Sequence, residues 1–122
     1  MNQGSSAPEA PDLSFVPALE MALRVAQVGF AAYNEAAFPA RPPEFFALEL
    51  AGEAGEVANK EKKRWKGREI PLAELADEAA DVLIAVVNYA NARGIDLAGA
   101  VAAKLREIER RRLADKERGL PL

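Results

Sequence analysis

Leu48-Glu49-Leu50-Ala51-Gly52-Glu53-Ala54-Gly55-Glu56-Val57, with Glu78-Ala79-Ala80-Asp81-Val82-Leu83 as its echo, decides how this 122-residue chain is read. Each segment sets two carboxylates three residues apart in apolar sequence. On a helix, positions i and i+3 share a face, one turn apart. Like charges at that spacing repel, and carboxylates beside a core are costly unless neutralised. Two facing helices would bring the four acids Glu53, Glu56, Glu78 and Asp81 together. A divalent cation is the simplest partner that would stabilise such a cage.

Outward from the acid pairs, composition narrows the chemistry. The length fits one domain able to bury a core without staples. Sixteen basic residues against 19 acidic ones give a net charge of -3, with nothing that points to nucleic acid or a membrane surface. The chain has no Cys and no His, which excludes disulfides, thiol nucleophiles, Cys/His zinc sites and histidine acid–base catalysis. Any metal is therefore held by oxygen, with Mg²⁺ or Mn²⁺ ahead of calcium. No apolar run is read as reaching the roughly 18 residues of a membrane span. The first residues lack the features of a signal peptide, so the expected location is cytoplasmic. Residues 1–12 read as a disordered tail, 13–117 as one helical domain and 118–122 as a loose C-terminal tail.

Four helices are expected. Helix one follows the capping residues Asp12-Leu13-Ser14, tolerates Pro17 in its first turn, and carries Leu19, Leu23, Ala26, Phe30 and Tyr33 at helical spacing. Pro39, Pro42 and Pro43 end it. Arg41 in that loop is either solvated or within reach of a phosphate. Helix two runs from Pro43 or Glu44 to about Lys66. Gly52 and Gly55 inside it imply a close backbone neighbour or room for a ligand, since each costs about 1 kcal/mol relative to Ala. Lys60 and Lys63 each lie seven residues beyond a motif acid, on the acidic face. Carboxylates followed by ammonium groups suit a metal–polyphosphate ligand. The same lysines also complement the helix macrodipole as a solvated end. Trp65 is either a packing lid or a stacking surface for a base.

Helix three begins at Pro71 or Leu72 and stops at Gly94, a fitting C′ residue. Val82, Leu83, Ile84, Val86 and Val87 crowd every side, so burial all round is expected, with a partner subunit covering one side. Asp81 and Asn88 share a face within that apolar run. Buried polar groups need partners, so Asp81 points to metal and Asn88 to a ligand or an opposing backbone. Asp96 caps helix four, Leu97 to about Lys116, whose stripe is Val101, Leu105, Ile108 and Leu113. Lys104 and Arg111 share a face there and are its substrate-binding candidates.

The stretch Leu50 to Val57, Lys63, the segment Glu78 to Leu83, and Gly94-Ile95-Asp96-Leu97 together resemble the MazG-like all-α nucleoside triphosphate pyrophosphohydrolases. The likeness covers roughly Pro43 to Arg112. It implies an all-α bundle of four to five helices, completed by assembly into a homodimer or homotetramer. The implied reaction is hydrolysis of a (deoxy)nucleoside triphosphate to the monophosphate and pyrophosphate. Glu53, Glu56, Glu78 and Asp81 would hold Mg²⁺, and Lys63 and Lys104 match basic positions that face phosphates. Trp65-Lys66 resembles the dCTP-cleaving branch. Two departures stand out. Ala85 occupies the place of a tyrosine found in many relatives, and Gly52 fills the neighbourhood where some carry an additional acid, leaving Glu49 as the nearest upstream carboxylate. The general base is thus open. Neighbouring readings are a phosphoribosyl-ATP or dUTP hydrolase. A different class is a non-catalytic helical interaction module whose acids are a solvated face, which predicts no stabilisation by Mg²⁺.

Overall fold

The computed structural model describes residues 11–122 and is all-helical among them. Most of the expected disordered tail, residues 1–10, lies outside the described residues. Helix α1 spans Phe15–Ala37, α2 Pro43–Trp65, α3 Leu72–Arg93 and α4 Leu97–Glu117. The boundaries follow local chemistry. Asp12 Oδ1 accepts from the Ser14 N–H at 2.8 Å ahead of α1, while the Ser14 side chain makes no capping bond. Pro43 sits at the first position of α2, where a missing N–H costs nothing. Gly94 adopts φ 74 behind α3, a conformation that favours glycine. Asp96 Oδ1 accepts from Gly99 N–H at 3.1 Å and caps α4. Beyond α4, Leu120 N–H returns to Asp115 O at 2.9 Å, with Gly119 at φ 70.

The packing order is α2, α3, α1, α4: α2 lies along α3, and α1 packs on α4 and on α3. The apolar core is small and built from small residues: Val16, Ala85, Val87, Ala90, Ala98 and Ala102. Alanines let backbones approach, and the buried ones lie on α3 and α4, the two helices against which α1 packs. The expected stripes are inward only in part: on α1 Leu19, Leu23, Ala26 and Phe30 are partly buried but Tyr33 is 60% exposed, and on α4 Val101 and Leu105 are partly buried while Ile108 and Leu113 are exposed.

Among the described residues α3 packs along α2 and on α1, and its own chain leaves part of it open, the side for which a partner subunit was expected. Leu83 stays 59% exposed and Ile84 41%. A methyl group added at Gly52 or Gly55 would meet nothing within 4 Å, so no backbone crowds those glycines within one chain. Contrary to expectation, α1 is long and apolar enough to cross a membrane by length and composition, with a mean hydropathy of 1.3. In the fold it packs between α3 and α4, with Gln27 and Asn34 hydrogen-bonded to α3 and the turn before α4.

Candidate metal centre

Because α2 and α3 pack along each other, Glu53 on one helix faces Glu78 and Asp81 on the other. The three offer carboxylate oxygens that all lie within 4.8 Å of one another. Glu78 and Asp81 are one turn apart on α3, so a single register of the two helices suffices to assemble the set. Desolvation pushes the Glu53 carboxyl above its usual range, and repulsion from Asp81, Glu78, Glu49 and Glu56 adds to the shift. One cation already answers the cluster: Lys60 Nζ lies 2.7 Å from Glu78 Oε1. The hydrogen bond to Glu78 raises the Lys60 pKa. The Glu78 side chain is only 12% exposed. Three crowded carboxylates with oxygen as their only donor type, one of them driven towards protonation, fit a hard divalent cation.

The remaining candidates are spread more widely. Glu56 is exposed and stands outside the three-acid set, although its charge is felt at Glu53. Lys60 is committed to Glu78. Lys63 is exposed on the basic last turn of α2, and Trp65 beside it is 87% exposed, packed as a lid on nothing. Asn88 does find an opposing group, the side chain of Asn34, whose Nδ2 donates to Asn88 Oδ1 at 2.7 Å. Lys104 is exposed on α4, which packs on α1. Arg111, also on α4, is paired with Glu107 at 2.8 Å. Hydrogen bonds from Arg110 and Arg111 hold the Glu107 carboxyl down at about 2. Within one chain, then, the α4 cations do not join the acids. The sequence reading missed the Lys60–Glu78 pair, and it passed over Asn34, whose place one turn beyond Phe30 on an inward stripe was the available signal.

The profile of the MazG nucleotide pyrophosphohydrolase domain matches residues 41–113, more than half of the chain. The chain belongs to the MazG family. All three clustered acids, with Glu49, Glu56 and Lys60, fall inside the matched segment, as do Asn88, Lys104 and Arg111. Helix α1 lies before it. Comparison with curated proteins and with solved structures gave no match.

Two measurements probe the electrostatics of the MazG acid cluster. Lys60→Met removes the one cation from Glu78 and leaves three carboxylates to repel. The variant should melt several degrees below wild type without divalent cation, and Mg²⁺ should close most of that gap in a thermal-shift assay. An unchanged melting point would mean that Lys60 does not neutralise the cluster. The second concerns Glu53. Its folded pKa is raised, so the folded state binds this proton more readily than the unfolded chain, and its contribution turns increasingly unfavourable as pH rises through the shifted value. Glu53→Gln should therefore be more stable than wild type at neutral pH without metal. The two should converge as pH falls into the carboxylate range, and saturating Mg²⁺ should reverse their order.

Proposed function

We propose that this protein hydrolyses ribo- or deoxynucleoside triphosphates at the α–β phosphoanhydride, releasing the monophosphate and pyrophosphate. The observation that carries this reading is the convergence of Glu53, Glu78 and Asp81 from two packed helices inside the MazG-matching segment. These three would hold Mg²⁺, or Mn²⁺ in its place, with Glu56 as a fourth acid one turn along α2. When bound, the cation supplies charge neutralisation of the triphosphate, its orientation, and activation of the attacking water.

The chain's own residues do the rest. Lys60 fixes the orientation of Glu78 and limits repulsion within the set. Lys63, exposed at the basic end of α2, meets phosphate oxygens. The oxygen of water bonds to the α-phosphorus, the bond to the bridging oxygen breaks, and a carboxylate takes the proton. Glu49 and Glu56 flank the set and are the two candidates for that acceptor. Trp65, Lys104 and Arg111 would reach the substrate from a second copy of the chain. Several features support a homodimer or homotetramer: a core of few side chains, Leu83 and Ile84 open on α3, the outward Met21, Val25 and Val28 of α1, and an α2 that buries no residue. The proposed setting is cytoplasmic, in nucleotide-pool control or house-cleaning, with dCTP-like or non-standard nucleotides as first candidates.

The test is pyrophosphate release from canonical and modified NTPs and dNTPs, with Mg²⁺, Mn²⁺ or neither. Cation-dependent release supports the hydrolase. Absence of release across the panel with either ion would sink it and leave the helical interaction module as the better account.

A further inference from the structure

Three carboxylates crowd the seam between α2 and α3, and one ammonium answers them. Lys60 lies seven residues beyond Glu53, almost two turns along α2, and reaches across the seam to α3. Its Nζ stands 2.7 Å from Glu78 Oε1, and the two side chains are 23% and 12% exposed. Among the described residues this is the most sheltered ion pair, so screening by solvent does little to loosen it. None of the other ion pairs among them involves Glu53, Glu78 or Asp81. The further charges nearby are all acidic: Glu49 and Glu56 act on Glu53, and Glu56 and Glu74 act on Lys60.

We infer that Lys60 takes the place of a second metal ion and limits this acid cluster to one divalent cation per chain. This rests on the acid cluster being a metal centre, as proposed above. Charge favours it. Three carboxylates and one ammonium leave a charge of -2 on the set, which one divalent ion neutralises. A second ion would overcharge it. The bonding of Glu78 favours it too. In two-metal sites the ions share ligands, and a carboxylate that bridges two ions gives one oxygen to each. Glu78 Oε1 is already engaged by Lys60, which leaves Oε2 for a single ion. Release of Lys60 by the incoming cation is the alternative. Glu56 and Glu74 oppose it, since both draw the ammonium to its present position. The positive charge that a second ion would bring to the site is therefore built into the chain and does not dissociate.

The experiment titrates Mn²⁺ into the full chain without nucleotide and counts the bound ions by electron paramagnetic resonance. Wild type should bind one ion per chain, with the signal of an isolated Mn²⁺, and Asp81→Ala should lose it, which assigns the ion to the cluster. Lys60→Met removes the ammonium and frees Glu78 Oε1. It should bind two ions with the splitting of a spin-coupled pair, whereas Lys60→Arg should keep one. Circular dichroism shows whether each variant is folded. If Lys60→Met does not fold, wild type carries the test: saturating Mn²⁺ should still give no coupled pair. A coupled pair in wild type, or a single ion in folded Lys60→Met, overturns the inference and leaves the metal centre standing. Absence of Mn²⁺ from the acids of wild type overturns both. Pyrophosphate release is read separately. One ion in wild type and two in Lys60→Met, with no triphosphate cleaved, would uphold the inference and sink the hydrolase.

Discussion

Asp81→Ala should lower kcat for cation-dependent pyrophosphate release on the order of a thousandfold. Asp81 is half-buried, faces Glu53 across the α2–α3 seam and is one turn from Glu78, so its loss takes away a third of the three-acid set. No neighbour replaces it: the residue four positions on is Ala85, buried and apolar. Glu56→Ala should cost less, because Glu56 is exposed and outside the set. The two variants also separate on stability. Removing Asp81 relieves a repulsion felt at Glu53, so the metal-free variant should melt no lower than wild type while losing most of the stabilisation by Mg²⁺. A general folding defect would lower both melting point and activity. Retention of near wild-type kcat by Asp81→Ala would show that the clustered acids are not the catalytic centre.

Helix boundaries were the most legible part of this chain because each is fixed by residues within a turn of it. Pro43 opens α2, Gly94 closes α3 in the left-handed conformation and Asp96 caps α4, all where the sequence placed them. The acids were legible for the same reason, since i and i+3 spacing on α3 is local. What the sequence did not disclose depends on how helices are set against one another. Lys60 is 18 residues from Glu78, and their ion pair exists only in one register of α2 on α3. Asn34 and Asn88 are 54 residues apart. The apolar run of α3 indicated burial but not its extent, which depends on how many neighbours the chain supplies. Gly52 and Gly55 drew two explanations, a close backbone neighbour or room for a ligand, and the open space around them argues within one chain against the first only.

Gln27→Leu should be among the most destabilising single changes in the described fold, costing roughly 2–4 kcal/mol. Gln27 is the knot between α1 and the turn that joins α3 to α4. Its Nε2 donates to Asn91 Oδ1 at 3.1 Å and to Ile95 O at 2.9 Å, while its Oε1 accepts from the N–H of Ala98 at 3.1 Å. Asn91 Nδ2 returns a bond to Gln27 O at 2.9 Å. Ala98 is fully buried, so its N–H at the start of α4 has no access to water once that partner is gone. Leucine is of similar size and leaves these groups unsatisfied, and an unsatisfied buried group loses its full solvation. The expected fall in melting temperature is on the order of 10 °C. Gln27→Glu discriminates the causes. A carboxylate still accepts from Ala98 N–H, and favourably at a helix N-terminus, but cannot donate to Asn91 or Ile95, so it should fall between leucine and wild type. A urea midpoint equal to that of wild type would show instead that water replaces the side chain and that α1 is held by its apolar stripe alone.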